Sequence, residues 1–194
     1  PAIIAFGKED VETISYDALF DKVSRLAAGL AKTMPKERPT VALCAGNSPR
    51  WVVAALAVIR AGGILLPVDQ QADGGTLEHI FRDSGAGLIF ADQETAETIA
   101  GLDLPEKPEI IRLATIADDP KLPSPAAAGH EHPVRAVEPD DSAVLFYTSG
   151  TTGPPKGVPL SHANLAGQPE AIRETKLIAP DDRVLLPLPL HHVY

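Results

Sequence analysis

One stretch of the sequence, residues 40–68, reads TVALCAGNSPRWVVAALAVIRAGGILLPV and decides the fold class. It opens on the apolar run Thr40–Cys44, which is typical of a buried strand. Ser48 can cap a helix that has proline in its first turn, and a pair of glycines ends that helix. A second apolar run follows at residues 64–68. A strand, a helix and a strand in this order predict a βαβ unit with two parallel strands.

The same alternation continues on both sides of this unit. Further strands are predicted at residues 3–6, 12–15, 88–91, 109–113 and 142–147, and further helices after Ser15, over 76–83 with Thr76 as the cap, and over 95–100. The first of these helices has apolar residues at spacings of three and four, which predicts one buried face. The pattern favours an α/β fold, in which an open, mainly parallel sheet has helices on both faces in three layers.

Composition excludes several classes of protein. The chain has 194 residues, of which 17 are basic and 26 acidic, so its formal net charge is −9. The 44% apolar and 22% charged fractions are close to the globular averages of about 45–50% and 25%, which argues against disorder and coiled coils. Binding to nucleic acid requires clustered Lys and Arg, and we expect no such partner.

The sequence also indicates where the protein works. A single cysteine, Cys44, cannot form a disulfide within the chain, and the apolar stretch 51–59 is too short to span a bilayer. No cationic and apolar leader opens the chain. We therefore expect a cytoplasmic protein without a transmembrane segment. Because the chain stops at Tyr194 just after an apolar run, we expect the rest of its own polypeptide to follow.

A proline-rich segment divides the chain. We expect one partial domain over residues 1–194, with a βα core at 1–114, a connector at 115–140, and a final part at 141–194. His130 and His132 lie in the connector, where a solvated linker is a better interpretation than a metal site, because the ligand set is incomplete.

The segment TSGTTGPPKG, residues 148–157, follows the apolar strand at 142–147 directly. Its glycines permit close approach of the backbone to a ligand, its free N–H groups can form an anion nest, and its hydroxyls and lysine add donors. This composition favours a loop that binds nucleotide phosphates over the alternative of a flexible turn between strands. The spacing matches neither the P-loop nor the dinucleotide-binding glycine pattern.

The run YTSGTTGPPKG, residues 147–157, resembles the phosphate loop of the acyl-adenylate-forming superfamily of acyl-CoA synthetases, luciferases and peptide-synthetase adenylation domains. Three weaker matches agree in order: ISYDAL at 14–19, AGGILLPVD at 61–69 and SHAN at 161–164. Later motifs of the superfamily, including its ribose-binding aspartate and catalytic lysine, are absent. The resemblance therefore implies the amino-terminal part of such an enzyme, inactive by itself.

The resemblance also implies a reaction and its participants. A carboxylate and ATP, with Mg²⁺, form acyl-AMP, and coenzyme A then takes the acyl group. The residues implied to bind the phosphates are Thr148, Ser149, Gly150, Thr151, Thr152, Gly153 and Lys156. A loop hydroxyl, with that of Thr148 as the candidate, is implied near the metal ion. No complete catalytic set is present.

The closing segment LPLHHVY, residues 188–194, is similar to a strand end in acyl-CoA synthetases. This similarity implies that His192 borders the acyl-adenylate, that Tyr194 lines the carboxylate pocket, and that the substrate is a fatty acid. The role of His191 stays open, and His162 is expected to cap or pack at a helix start. The alternatives are an adenylation domain that loads a carrier protein, an aryl-CoA ligase, or a non-catalytic nucleotide-binding module.

Overall fold

A computed structural model describes residues 1–7, 10–34, 39–116, 135–148 and 153–192. Its strands are β1 (Ile3–Phe6), β2 (Val11–Ile14), β3 (Thr40–Cys44), β4 (Ile64–Pro67), β5 (Leu88–Ala91), β6 (Glu109–Arg112), β7 (Ser142–Thr148) and β8 (Lys156–Ser161). Its helices are α1 (Tyr16–Thr33), α2 (Pro49–Arg60), α3 (Gly74–Ser84), α4 (Gln93–Ala100) and α5 (His162–Thr175). His130 and His132, which are predicted to lie in a solvated linker, fall outside these ranges.

The main sheet has the strand order β6-β5-β3-β4-β7-β8. Each neighbouring pair from β6 to β7 is parallel, and β8 lies antiparallel to β7 at the edge. A separate antiparallel pair, β1 and β2, lies at the start of the chain, where the sequence predicts two strands. The prediction of an open, mainly parallel sheet is confirmed.

Alternation along β3 shows how the three layers are held together. Val41 and Leu43 belong to a core shared with α1 and α2, whereas Ala42 and Cys44 belong to a second core shared with α3 and α4. All four side chains are fully buried. Successive residues of a strand point to opposite faces, so helices cover both faces of the sheet as predicted.

The helix starts confirm two predicted caps and correct a third. Ser15 and Ser48 accept hydrogen bonds from the N–H groups three residues later, each at 3.1 Å. The predicted cap at Thr76 is wrong, because α3 begins at Gly74 and its cap is Asp73. The Asp73 carboxylate accepts from the Thr76 N–H at 3.1 Å and from its hydroxyl at 2.7 Å. These bonds, led by that from the hydroxyl, lower the pKa of Asp73, and aspartate is a strong helix cap.

Other boundaries differ from the sequence predictions. The helix expected at 95–100 begins at Gln93, after the cap Asp92. The strand expected at 109–113 ends at Arg112, and Leu113 opens a 3₁₀ helix. The closing segment is expected to form the end of a strand, but its described residues, 188–192, form none. Their backbone is hydrogen-bonded to the Asn47 side chain and not to a neighbouring strand. Within the described ranges, no helix is long and apolar enough to cross a membrane.

Candidate nucleotide and carboxylate site

The predicted phosphate segment joins two antiparallel strands. Thr148 is the last residue of β7, Lys156 is the first of β8, and the two are register partners. Residues 149–152, and with them four of the predicted phosphate-binding residues, lie outside the described ranges. The assignment of Thr148, Lys156 and Gly157 to a ten-residue loop is therefore corrected, because all three are strand residues. The pairing places an exposed hydroxyl residue opposite an exposed lysine.

Gly157 allows β8 to pack closely against β7. A Cβ at this position would lie 3.1 Å from Leu145 Cδ1 and 3.4 Å from Tyr147 Cζ. Both distances are at or inside the ordinary limit for carbon contacts. The glycine thus lets the strand that carries Lys156 approach the Tyr147 ring.

Helix α3 contacts both sides of the phosphate segment. The Tyr147 hydroxyl donates a hydrogen bond to Asp83 Oδ2 at 2.5 Å, and His79 Nε2 lies 2.8 Å from the Pro155 carbonyl oxygen. The His79 and Tyr147 rings meet edge to face, with centroids 6.5 Å apart. Burial, and then the hydrogen bond to Asp83, raise the pKa of Tyr147. Sequence reasoning missed His79 and Asp83, whose only signal is their i, i+4 spacing on the helix.

A cavity of about 310 Å³ lies beyond the carboxyl ends of β3 and β4. Its lining comprises Ala45, Gly46, Asn47, Asp69, Gln70, Gln71, Pro187, Pro189, His191 and His192. Strand β4 is the neighbour of β7 in the parallel sheet. The carboxyl ends of parallel strands share one edge, where ligands of open α/β sheets bind. The cavity and the phosphate segment are therefore neighbours along that edge.

Asn47 holds the segment that carries the two histidines. Its side-chain amide donates to the Leu188 carbonyl oxygen at 2.8 Å and accepts from the Leu190 N–H at 2.9 Å. These bonds connect residues more than 140 positions apart in sequence. The loop after β3 thus fixes the backbone just before His191. Sequence reasoning missed Asn47, although its place directly after a buried strand puts it at the ligand-binding edge.

Both histidines line the cavity. His191 Nε2 lies 3.7 Å from Asp69 Oδ1, and the two imidazole rings are 5.6 Å apart. Burial lowers the pKa of His191, the Asp69 carboxylate opposes this change, and His192 adds to it. The structure thus places the predicted His192 beside His191 at the cavity, whereas Tyr194 lies outside the described residues. His162 is the first residue of α5, in agreement with its expected place at a helix start.

The residues that the structure describes include no group of three or more His, Cys, Asp or Glu side chains able to hold a metal ion. The candidate oxygen at the phosphate segment is the Thr148 hydroxyl at the end of β7. Magnesium usually keeps several waters and binds through substrate phosphates and a few protein oxygens. The Thr148 hydroxyl can contribute one such protein oxygen.

The comparison with known families covers the whole chain. Residues 1–194 match the profile of the AMP-binding enzyme family. The chain belongs to this family. The resemblance stated from residues 147–157 and the three weaker segments is thereby confirmed.

Relatives of this AMP-binding chain include enzymes with different acceptors. It is 32% identical over 179 residues to feruloyl-CoA synthase from Amycolatopsis sp, covering 92% of the chain and 34% of that enzyme. It is 30% identical over 192 residues to the L-proline–[L-prolyl-carrier protein] ligase from Pseudomonas fluorescens, covering 94% and 36%. The chain thus spans about a third of the length of these relatives.

A solved structure shares the fold. ATP-bound MatB from Rhodopseudomonas palustris superposes with a TM-score of 0.80 and 27% identity, over 93% of this chain and 36% of that one. The fold assignment therefore rests both on the strand order and on an independent structural match.

Proposed function

We propose that this AMP-binding chain is the amino-terminal part of an ATP-dependent acyl-CoA synthetase. The observation that carries the proposal is the pairing of Thr148 with Lys156 at the end of β7, beside a histidine-lined cavity at the ends of β3 and β4. In this proposal residues 1–114 supply the βα core, 115–140 connect, and 141–194 carry the phosphate segment.

The phosphate segment would bind the triphosphate of ATP. Thr148 and Lys156 would hold the two sides of the β- and γ-phosphates, and Ser149, Gly150, Thr151, Thr152 and Gly153 would supply the N–H groups and hydroxyls between them. Lysine is a compact mobile charge that suits a phosphate oxygen. Because the chain has a net charge of −9, its overall charge does not attract an anion, which favours a local site of this kind. Bound Mg²⁺ would neutralise part of the phosphate charge near the Thr148 hydroxyl.

The cavity would hold the reacting carboxylate. His192 would border the acyl-adenylate, with Tyr194 completing the pocket. The cavity lies beyond the carboxyl end of β4, which is the strand next to β7. A carboxylate in the cavity would therefore be close to a nucleotide held at the phosphate segment. Positioning two reactants side by side is the main contribution that such a site makes to the rate.

The reaction would proceed in two displacements. A carboxylate oxygen attacks the α-phosphorus of ATP, the bond to the β-phosphate oxygen breaks, and pyrophosphate leaves. The coenzyme A thiol then loses its proton and attacks the acyl carbon, and AMP leaves as the thioester forms. The chain contributes binding and electrostatic positioning, because a complete catalytic set is not among its residues.

The alternative functions differ from the proposed one in the acid that is activated or in the acceptor of the acyl group. The prolyl-carrier protein ligase and feruloyl-CoA synthase show similar identity to this chain, which supports carrier-protein loading or aryl-CoA formation as alternatives. The fatty-acid assignment depends on the closing segment LPLHHVY alone. A non-catalytic nucleotide-binding module is the third possibility.

Exchange of labelled pyrophosphate into ATP tests the proposal. The complete polypeptide that contains this chain is assayed with fatty acids of graded length, hydroxycinnamic acids and L-amino acids, first without an acceptor and then with coenzyme A. Exchange with a fatty acid, followed by release of AMP on adding coenzyme A, is expected. Exchange without CoA-dependent release indicates a carrier-protein acceptor, and ATP binding without exchange for any acid indicates a non-catalytic module.

A further inference from the structure

Two side chains of α3 contact the chain near the two ends of the phosphate segment, one at Tyr147 in β7 and one at Pro155 just before β8. His79 and Asp83 stand four residues apart, which places them on one face of the helix. Asp83 Oδ2 accepts the Tyr147 hydroxyl hydrogen at 2.5 Å. His79 Nε2 lies 2.8 Å from the Pro155 oxygen, and since a carbonyl only accepts, Nε2 carries the hydrogen. We call these four residues, His79, Asp83, Tyr147 and Pro155, the α3 clamp.

The two residues that His79 and Asp83 contact stand next to residues of the proposed phosphate site. Tyr147 directly precedes Thr148, and Pro155 directly precedes Lys156. Thr148 and Lys156 are themselves register partners. One helix therefore holds the chain immediately before Thr148 and immediately before Lys156, to which the proposed function assigns the two sides of the phosphates.

The contacts of Tyr147 with α3 fix the orientation of its ring as well as its distance from the helix. Tyr147 touches α3 through its hydroxyl and also meets the His79 ring edge to face, at an interplanar angle of 87°. Leu145 and Tyr147 pack on the core formed with α3 and α4. Helix α3 is anchored in that core by Leu77, Ile80 and Phe81, all buried. A helix that is packed in the core thus contacts the chain at Tyr147 and at Pro155.

We infer that His79 and Asp83 are positioning residues that pre-organise Thr148 and Lys156 for the phosphates of ATP. This inference rests on the proposed function. Ordering a backbone costs roughly 1–2 kcal/mol per residue, and a site that is ordered before its ligand arrives binds that ligand more tightly. Neither residue needs to touch the nucleotide.

The test measures ATP affinity in variants of the complete polypeptide. Tyr147→Phe and Asp83→Ala each remove the hydrogen bond between Tyr147 and Asp83, and His79→Ala removes both the bond to Pro155 and the ring contact with Tyr147. We expect each variant to weaken ATP binding about tenfold, which is the scale of one lost hydrogen bond. The Tyr147→Phe/Asp83→Ala double variant should be no weaker than either single variant, because both remove the same bond. His79→Gln retains an N–H donor and should restore most of the affinity.

Two readouts separate positioning from mere stability. Equilibrium binding of ATP needs no catalysis, and in the exchange assay the KM for ATP should rise while that for the carboxylate stays within about twofold. Glu78→Ala is the matched control, since Glu78 lies on the same helix but accepts from the Asp103 N–H at 3.0 Å, away from the clamp. It should leave the ATP affinity unchanged.

The possible outcomes distinguish the inference from the proposed function. Wild-type ATP affinity in all three single variants, or equal losses in the Glu78 control, overturns the inference. If the wild-type protein binds ATP but exchanges no pyrophosphate with any acid, the enzymatic proposal fails, and a specific loss of ATP affinity in the clamp variants still supports the inference. Failure of the wild-type protein to bind ATP overturns both.

Discussion

The side-chain amide of Asn47 accepts a hydrogen bond from the backbone of Leu190 at 2.9 Å and so secures the start of the histidine pair. A second bond from the same amide reaches the Leu188 carbonyl oxygen at 2.8 Å. The two bonds resemble one rung of a β-ladder, made by a side chain. They explain how a segment without regular structure keeps His191 and His192 at the cavity.

Replacing Asn47 should damage carboxylate use. In Asn47→Ala both bonds are lost, and at about 1 kcal/mol each we expect the KM for the carboxylate to rise at least about tenfold, while the KM for ATP changes little. Steady-state pyrophosphate exchange at varied acid and varied ATP measures both values. Asn47→Asp keeps an acceptor for the Leu190 N–H but sets a carboxylate oxygen against the Leu188 carbonyl oxygen, so it should not restore the wild-type KM for the carboxylate. Equal changes in both KM values would contradict a role limited to the histidine segment.

Replacing Lys156 should raise the KM for ATP and leave binding of the carboxylate unchanged. Removing the ammonium in Lys156→Ala deletes a charged hydrogen bond, and with a contribution of about 1.5–3 kcal/mol the KM for ATP should increase about 10- to 100-fold. Binding of the carboxylate, measured by calorimetry without ATP, should remain as in the wild type. Lys156→Arg keeps the charge and should recover part of the loss. A comparable loss for both substrates would contradict the assignment of Lys156 to the phosphates.

Sequence patterns predicted the sheet well because its strands are short apolar runs between clear helix signals. Thr40–Cys44 was predicted with its observed bounds, since every residue from 41 to 44 is buried. The start of α3 was misplaced because Gly74 and Gly75 resemble a turn, whereas in the structure they form the first turn of a helix capped by Asp73. The local sequence pattern shows where a helix or strand lies. Its first residue is harder to predict, because starting positions that differ by one or two residues differ little in free energy.

The candidate site was only partly predictable for a different reason. The phosphate segment is contiguous, so its composition identified it. The contacts of Asn47 with Leu188 and of Asp83 with Tyr147 join residues 141 and 64 positions apart. Such pairs arise from the order of strands in the sheet, which one sequence does not specify.

The isolated chain should not form an acyl-adenylate. In the proposed function its residues include no complete catalytic set, and the chain spans only about a third of the length of its relatives. We expect no carboxylate-dependent exchange of pyrophosphate, and ATP affinity no better than millimolar, or about −4 kcal/mol. Purified chain and complete polypeptide are compared at equal concentration in the exchange assay. Clear turnover by the isolated chain would refute this prediction.

Cys44 should be unreactive in the folded protein. Its side chain is fully buried, and burial, followed by the charges of Asp92 and Asp69, raises the pKa of the thiol to about 12. The thiolate is the reactive form, so iodoacetamide at pH 8 should modify the protein in urea but not in buffer. Mass spectrometry of both samples measures the labelled fraction, and Cys44→Ala is the blank. Rapid labelling under native conditions would show that the core around β3 opens readily.

The same thiol gives a stability change at alkaline pH. The folded pKa of about 12 exceeds the unfolded value of about 8.5, so the unfolded chain loses the proton first. The free energy of unfolding should therefore decrease as pH rises above about 8.5. Urea titrations at pH 7 to 10 should show a smaller decrease in Cys44→Ala than in the wild type, and identical slopes would contradict the assignment.

His191 should make the protein less stable in mild acid. Burial lowers the pKa of its imidazole below the ordinary value of about 6.5, so between the folded and unfolded pKa values the unfolded state binds more protons. By linkage, the free energy of unfolding should decrease as pH falls through about 6.5 and below. In urea titrations from pH 8 to 5, His191→Asn should lose part of this slope. Asp69→Asn removes the nearby carboxylate that favours protonation of His191, so it should lower the folded pKa further. The decrease in the free energy of unfolding should then extend to lower pH. A slope that neither substitution alters would show that His191 is solvated and does not pack at the cavity.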